Sequence, residues 1–109
     1  MKIVAVTSCP VGMAHTYMAS AALKDAAEKN GVEIKVETQG MTGISNAITK
    51  ADIQAADAAI LTKDVVIEQV ERFDGILTYT TTTSKIIKNG DEIIKETIEL
   101  INQNRSGSK

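Results

Sequence analysis

The chain has little of the residue types that most often carry chemistry or covalent cross-links. Its 109 residues include one cysteine, one histidine and one proline. A single cysteine excludes an internal disulfide framework and is typical of a reducing compartment, so we expect a cytoplasmic protein. One cysteine and one histidine also fall short of the three or four ligands that a zinc site needs, so no metal is predicted.

Aromatic residues, long apolar runs and basic clusters are scarce as well. The only aromatics are Tyr17, Phe73 and Tyr79. No apolar run approaches the roughly 20 residues of a membrane-spanning helix, and the run at residues 3–6 is too short for the core of a signal peptide. Its 12 basic and 14 acidic residues form no basic block. The sequence therefore predicts neither direct membrane insertion nor nucleic-acid binding.

What the chain does have is an aliphatic composition, arranged in alternating strand and helix patterns. Hydrophobic residues make up 43% of the sequence, which with this length indicates one globular domain. The apolar run at 3–6 predicts a buried strand, and the alternation at 32–38 predicts a half-covered one. Between them, residues 14–29 are strong helix formers that end at Asn30-Gly31. These patterns predict a βαβ unit.

The rest of the chain continues this alternation. The predicted elements are a loop at 39–43, helices at 46–55 and 64–72, strands at 57–62 and 76–79, and a C-terminal helix capped by Asp91. We therefore expect an α/β fold: a doubly wound, four-stranded parallel sheet flanked by helices, which is a Rossmann-like, three-layer arrangement. The domain is expected to cover residues 1–104, followed by a flexible tail at 105–109.

The scarce residues gather in one segment, TSCPVGMAHTY, at residues 7–17. It follows the first predicted strand and enters the first predicted helix, and ligands of doubly wound sheets bind at such carboxyl ends. The helix N-terminus favours an anion and lowers the pKa of a nearby thiol, so Cys9 is the predicted nucleophile. The predicted phosphate-binding loop consists of Pro10, Val11, Gly12, Met13, Ala14, His15 and Thr16.

Cys9 and His15 each also have a purely structural interpretation. A lone cysteine at a strand end is more often an inert small apolar residue than a nucleophile. The adjoining Pro10, Gly12 and helix start favour the nucleophile, because they shape a loop whose backbone N–H groups can surround a ligand. His15, by contrast, has an open role, since a histidine at a helix start is often only a surface residue.

The segment CPVGMAHTYMAS resembles the phosphorylation-site loop of enzyme IIB components, fructose family, of the bacterial phosphoenolpyruvate-dependent sugar phosphotransferase system. The resemblance spans roughly residues 2–80. Further segments that resemble this family, in the same order, are VETQG at 36–40, GISNAIT at 43–49, ADIQAADAAIL at 51–61 and ERF at 71–73.

This resemblance implies a phosphoryl carrier with a four-stranded parallel sheet. In the family, the cysteine that matches Cys9 accepts a phosphoryl group from a phosphohistidine of enzyme IIA. It then passes the group to a sugar bound by the membrane component, enzyme IIC. The resemblance thus implies a cytoplasmic phosphotransferase acting at the inner face of the membrane, with fructose or a related sugar as acceptor, a sugar 1-phosphate as product and no cofactor.

Two positions depart from the family pattern. Val11 stands where the family often has threonine, which removes one hydroxyl from the loop. Lys63 stands where a small apolar residue is more common, which either changes partner or sugar preference or only adds a surface charge. The residues expected to meet enzymes IIA and IIC are Val11, Met13, Tyr17, Gln39, Met41 and Lys63.

Three other interpretations stay open. A low-molecular-weight cysteine-dependent phosphatase also places a cysteine loop between strand and helix, but it has arginine six positions after the cysteine, where this chain has His15. Pro10 is the only proline, so no Asp-Pro general acid follows either. A flavodoxin-like nucleotide or flavin module would need more glycines and aromatics. A carrier without a dedicated transporter would keep the Cys9 chemistry. Sequence leaves open the sugar, the oligomeric state, and whether the chain is a free subunit or part of a fusion.

Overall fold

Strands and helices alternate along the chain much as the sequence predicts. The computed structural model describes residues 1–8, 13–40, 43–63, 67 and 70–107, with the backbone alone at 13–15, 40 and 105–107. The elements in chain order are β1 (Lys2–Ser8), α1 (Met13–Lys29), β2 (Glu33–Gly40), β3 (Gly43–Ser45), α2 (Lys50–Ala55), β4 (Ala58–Thr62), a 3₁₀ turn (Val70–Phe73), β5 (Thr78–Thr81) and α3 (Thr83–Gly107).

The strands form one mixed sheet in the order β3-β2-β1-β4-β5. β1 pairs in parallel with β2 and β4, and β4 pairs in parallel with β5, whereas β3 is antiparallel to β2. The chain therefore moves from β1 to one side of the sheet and then returns to the other side. Right-handed crossovers in opposite directions place helices on opposite faces, which gives a doubly wound fold.

Two apolar clusters fill the two faces of the sheet. On one face Ile3, Ala5 and Ile60 pack under α1 and α3. On the other face Val4 and Val6 pack with apolar residues of the segments around α2 and the 3₁₀ turn. The predicted Rossmann-like α/β arrangement, with helices on both faces of the sheet, is confirmed.

The sheet has one strand more than the predicted four. β3 lies inside the segment 43–49 and covers the outer edge of β2, with Thr38 opposite Ser45 and Gly40 opposite Gly43. The predicted loop at 39–43 is therefore wrong at Gln39, Gly40 and Gly43, while residues 41–42 lie outside the described part. A three-residue strand that starts on a glycine is too short to show a period-2 pattern.

The other element boundaries shift by a few residues. The helix predicted at 46–55 begins at Lys50, with Thr49 and Asp52 forming a capping box. The strand predicted at 76–79 is observed at 78–81. Of the helix predicted at 64–72, residues 64–66 and 68–69 lie outside the described part, and the rest contains a 3₁₀ turn.

The last helix begins close to its predicted start, but another helical stretch precedes it. α3 consists of two helices joined at a kink at Asn89, whose φ of −135° and ψ of 40° are not helical. Asp91 lies two residues after this kink rather than at the N-cap itself; its carboxylate accepts a hydrogen bond from the Asn30 side chain (2.8 Å) and pairs with Lys95 (3.0 Å). The division into a domain at 1–104 and a tail at 105–109 stays a prediction.

Candidate functional site

The carboxyl ends of β1 and β4 form the topological switch point of the sheet. β1 is followed by a crossover to β2, and β4 by a crossover to β5, so the connections diverge between these two neighbouring strands. Ligands of doubly wound sheets bind in the crevice at such a point. β1 ends at Ser8, directly before Cys9. Cys9, Pro10, Val11 and Gly12 themselves lie outside the described residues.

The first turn of α1 also lies at this edge, because only residues 9–12 separate it from β1. The helix begins at Met13, and the first N–H groups of a helix have no intrahelical acceptors, so they can donate to an anion. Only the backbone of Met13, Ala14 and His15 is described, so the predicted roles of their side chains stay predictions. The helix start itself, predicted at residue 14, is observed one residue earlier.

Thr16 is the one predicted loop residue whose side chain is described. It is 1% exposed, and its hydroxyl has no hydrogen-bond partner among the described residues. Its carbonyl oxygen accepts a hydrogen bond from the Thr7 hydroxyl (3.4 Å). A buried hydroxyl without a partner is unfavourable, so this group is available to an oxygen atom of a bound ligand.

A row of threonines crosses the sheet at its carboxyl edge. Thr7 pairs with Thr38 across β1 and β2, and Thr62 pairs with Thr81 across β4 and β5. Each lies two residues after a residue that faces α1 and α3, so strand alternation directs all four side chains to that face. All four are buried. On this face, the carboxyl edge of the sheet is thus lined by hydroxyls rather than by apolar side chains.

On the opposite face, Glu37 carries a buried negative charge near the same edge. Its side chain is 0% exposed, and the Arg72 guanidinium donates to both carboxylate oxygens, at 2.8 and 2.5 Å. Gln39 Nε2 (2.7 Å) and the Ile48 backbone N–H (2.8 Å) donate to the same carboxylate. Such a charge is tolerated below the surface because it is paired and fully hydrogen-bonded.

Burial alone raises the pKa of the Glu37 carboxyl, since it disfavours the charged form. The hydrogen bonds from Arg72, Gln39 and Ile48, together with the charge of Arg72, outweigh burial and hold that pKa below its ordinary value. Glu37 is therefore a carboxylate at neutral pH and acts as a fixed anchor for its donors. It has no proton to give as a general acid.

Arg72 links this anchor to two other segments. Its Nη1 also donates to the Ile48 carbonyl oxygen (2.9 Å), and its guanidinium carbon lies 4.9 Å from the centre of the Phe73 ring. Glu37, Ile48 and Arg72 belong to three segments that the sequence analysis singled out separately. The fold brings the three together into one cluster beside the carboxyl end of β2.

Glu37, Arg72 and Thr62 were not predicted from the sequence as residues of the site. The alternation at 32–38 suggested that Glu37 faces solvent, but the residues around α2 and the 3₁₀ turn cover that face. The sequence feature that could have indicated Glu37 is a glutamate near the end of the strand predicted at 32–38. Thr62 was treated only as the end of a buried strand.

Of the residues expected to meet enzymes IIA and IIC, two are exposed in the structure, and their contacts with these partners stay a prediction. Tyr17 is 52% exposed and Lys63 is exposed, so both are accessible near the candidate site. Gln39 is wrong as a surface candidate, because it is 3% exposed and bonds to Glu37. Val11 and Met41 lie outside the described residues, as does the side chain of Met13.

The helices in the described part of the chain include none that combines the length and apolarity needed to cross a membrane. Among the same residues, no group of three or more histidine, cysteine or acidic side chains is arranged to hold a metal ion.

Comparison with known proteins gives a consistent family. The family described as "PTS system, Lactose/Cellobiose specific IIB subunit" matches residues 4–96. "PTS system fructose-like EIIB component 2" of Escherichia coli K12 is 48% identical over 95 residues, covering 87% of this chain and 90% of that protein. "PTS system fructose-like EIIB component 1" of the same organism is 45% identical over 100 residues, covering 92% and 93%.

Solved structures agree with these relatives. The enzyme IIB subunit of the PTS system from Escherichia coli K12 has a TM-score of 0.88 and 43% identity, covering 95% of this chain and 96% of that one. A domain of the fructose-specific IIABC component from Borrelia burgdorferi has a TM-score of 0.84 and 48% identity, covering 90% and 93%. With the family match over most of its length, the chain belongs to the enzyme IIB family of the phosphotransferase system.

Proposed function

We propose that Cys9 is the residue through which this enzyme IIB protein carries a phosphoryl group. As a member of the family, the chain acts in phosphoryl transfer within the phosphotransferase system. The observation that carries the assignment is that β1 ends at the switch point of the sheet directly before Cys9 in the sequence, and that α1 begins four residues after Cys9. This position combines a nucleophile with a field that favours anions.

The proposed reaction has two steps. The Cys9 thiolate attacks the phosphorus of a phosphohistidine on enzyme IIA, so a phosphorus–sulfur bond forms and the phosphorus–nitrogen bond breaks. A hydroxyl of a sugar held by enzyme IIC then attacks the same phosphorus, loses its proton and releases the thiolate. Each step is a transfer that needs mainly positioning and stabilisation of the equatorial oxygens.

The groups proposed to stabilise these oxygens belong to the loop and to the first turn of α1. Backbone N–H groups of Val11, Gly12, Met13, Ala14 and His15 are the candidate donors, with Pro10 shaping the turn. The unpartnered Thr16 hydroxyl supports this proposal, because a phosphoryl oxygen would supply the partner that it lacks. No cofactor or metal is required for this chemistry.

The proposed acceptor is fructose or a related sugar, by analogy with relatives named fructose-like and fructose-specific. Transfer from enzyme IIA to a sugar held by a membrane component places the proposed site of action in the cytoplasm, at the inner face of the membrane. The single cysteine supports a reducing compartment.

The first test is substitution of the nucleophile. We expect Cys9→Ser to abolish labelling of the protein by phosphoenolpyruvate in the presence of the general phosphotransferase proteins and enzyme IIA, because a serine hydroxyl has no accessible anionic form at neutral pH. Circular dichroism of the variant controls for folding. Labelling of a folded Cys9→Ser variant at the wild-type level would contradict the assignment.

A second test separates the carrier from a cysteine-dependent phosphatase. We expect the wild-type protein to hydrolyse p-nitrophenyl phosphate at no more than the rate of its Cys9→Ser variant. The reason is that position 15 carries histidine, which lacks the bidentate fork with which arginine holds a phosphoryl group for hydrolysis. Steady, Cys9-dependent turnover in this assay would favour the phosphatase.

A further inference from the structure

We propose that Thr62 is a positioning residue for the phosphoryl transfer: its hydroxyl holds the end of β1, and through it the peptide that carries Cys9. This inference rests on the proposed function of Cys9 and adds to it a residue on a different strand. Thr62 ends β4, which lies beside β1 in the sheet.

The contact is direct and buried. The Ser8 backbone N–H donates to the Thr62 hydroxyl oxygen at 3.0 Å. The same hydroxyl lies 3.2 Å from the Val6 carbonyl oxygen and 3.4 Å from that of Ser8, so its single proton has an acceptor on β1 as well. Ser8 is 5% exposed and Thr62 is 2% exposed. Because both residues are buried, water is a poor alternative acceptor for the Ser8 N–H.

The sheet explains why a side chain makes this bond. The backbone pairing of β1 with β4 ends at Val6 and Leu61. Beyond that point β1 continues beside β2, as far as Ser8 opposite Gln39.

Over the same stretch β4 stays with β5, where the Lys63 N–H donates to the Thr81 carbonyl oxygen (2.9 Å). The two central strands thus part at the switch point, and the Thr62 hydroxyl bridges the gap. It takes the place of a backbone acceptor for the last residue before Cys9.

A second buried hydroxyl makes a contact on the C-terminal side of residues 9–12. Thr7 donates to the carbonyl oxygen of Thr16 in the first turn of α1 (3.4 Å). Ser8 and Thr16 stand on the two sides of the segment that carries Cys9, and each is tied through a buried threonine. Because displacement of a reacting group by about 1 Å can slow a reaction about a hundredfold, a lost tie at Ser8 is expected to reduce the transfer rate.

The decisive variants are Thr62→Val, which removes the hydroxyl at nearly constant volume, and Thr62→Ser, which keeps it. Thr97→Val is the matched control, because Thr97 is also buried (0% exposed) and its hydroxyl donates to the Ile93 carbonyl oxygen (2.8 Å) within α3. Phosphorylation of each protein is followed by rapid quench over a range of phosphorylated enzyme IIA, which separates kcat from KM. Thermal unfolding is recorded in parallel.

We expect Thr62→Val to lower kcat by about ten- to a hundredfold with little change in KM, since the lost contact acts on the reacting geometry and not on donor binding. Thr62→Ser is expected to restore most of the rate, and Thr97→Val to leave it at the wild-type level despite a similar loss of a buried bond. A wild-type kcat in Thr62→Val would overturn the proposal. Equal losses in Thr62→Val and Thr62→Ser, or in Thr62→Val and Thr97→Val, would also overturn it.

Two further measurements distinguish failure of the Thr62 proposal from failure of the proposed function and from misfolding of the variant. If the wild-type protein is not phosphorylated on Cys9, the proposed function fails, whereas wild-type labelling with an unaffected Thr62→Val variant removes only the role of Thr62. If Thr62→Val does not fold, amide hydrogen exchange of the wild-type protein decides. The Ser8 amide is expected to exchange as slowly as the Val6 amide, and fast exchange at Ser8 would refute the bond.

Discussion

At the scale of single residues, the described part of the site depends on polar groups held below the surface. The Glu37 carboxylate and the Thr62 hydroxyl each satisfy backbone N–H groups that would otherwise be buried without an acceptor, at Ile48 and Ser8. The folded protein is destabilised when a buried polar group loses its hydrogen-bond partner and cannot reach water. Substitutions in these networks therefore have effects of predictable sign.

We expect Glu37→Gln to lower the free energy of unfolding at pH 7 by about 3–5 kcal/mol, because the nearly buried Arg72 guanidinium would lose its counter-charge. The matched control is Asp25→Asn, which removes an ion pair with Lys29 whose side chains are 70% and 67% exposed. That control is expected to leave stability nearly unchanged, since exposed pairs are weak. Urea unfolding measures both, and equal effects of the two substitutions would contradict the anchor role of Glu37.

The pH dependence of this difference has a definite sign. The pKa of Glu37 is lowered in the folded protein, so its contribution is complete above the ordinary value of 4.5 and is lost as pH falls through the folded pKa. We expect the difference in unfolding free energy between the wild type and Glu37→Gln to narrow as the pH falls from 7 through the folded pKa of Glu37, because protonation makes the wild-type side chain neutral as well. A gap that widens on acidification would contradict this account.

The sequence predicts Cys9 as the nucleophile, but it does not predict the buried residues around the end of β1. Cys9 stands out because a strand pattern, a turn and a helix pattern meet there. Thr62 and Arg72 are distant in sequence from Cys9 and carry no local pattern of their own. Their roles depend on strand pairing and on which face of the sheet is covered, and both of these follow from tertiary packing.

At the scale of elements, a local sequence signal sets the C-terminal end of α1. The helix ends in a Schellman motif: the Val32 N–H donates to the Ala27 carbonyl oxygen (3.0 Å) and the Gly31 N–H to that of Glu28 (3.2 Å). Gly31 has φ +69°. The stop predicted at Asn30-Gly31 is confirmed, and it returns the chain to β2 beside β1.

We expect Gly31→Ala to lower the free energy of unfolding by about 1 kcal/mol, because the left-handed conformation is strained for a residue with a Cβ. An added Cβ would meet nothing within 4 Å, so the loss would come from the backbone alone. Gly31→Asn is the control and is expected to lose less, since asparagine tolerates this conformation better. Urea unfolding measures both; an alanine variant as stable as wild type would contradict the assigned cap.

Elements with a strong apolar pattern or many helix formers could be predicted from the sequence, whereas elements that depend on strand pairing or tertiary contacts could not. β1, α1 and β4 follow from apolar runs and helix formers. β3 forms because a short segment reaches the free edge of β2, and the first part of α3 begins among threonines that favour strands in isolation. In both cases tertiary contacts outweigh local propensity.

At the scale of the whole molecule, the order of the strands explains why the site lies where it does. The doubly wound sheet opens between β1 and β4, where β1 ends directly before Cys9 in the sequence and β4 ends at Thr62. Sequence periodicity predicted the parallel sheet and its helical layers.

One measurement tests the central claim most directly. The protein is incubated with phosphoenolpyruvate, the general phosphotransferase proteins and enzyme IIA, and its intact mass and peptides are then determined by mass spectrometry under conditions that preserve phosphocysteine. The account predicts a single added phosphoryl group on Cys9 that disappears when membranes containing enzyme IIC and its sugar are added. A phosphoryl group on another residue, or none under conditions that phosphorylate a known enzyme IIB, would contradict it.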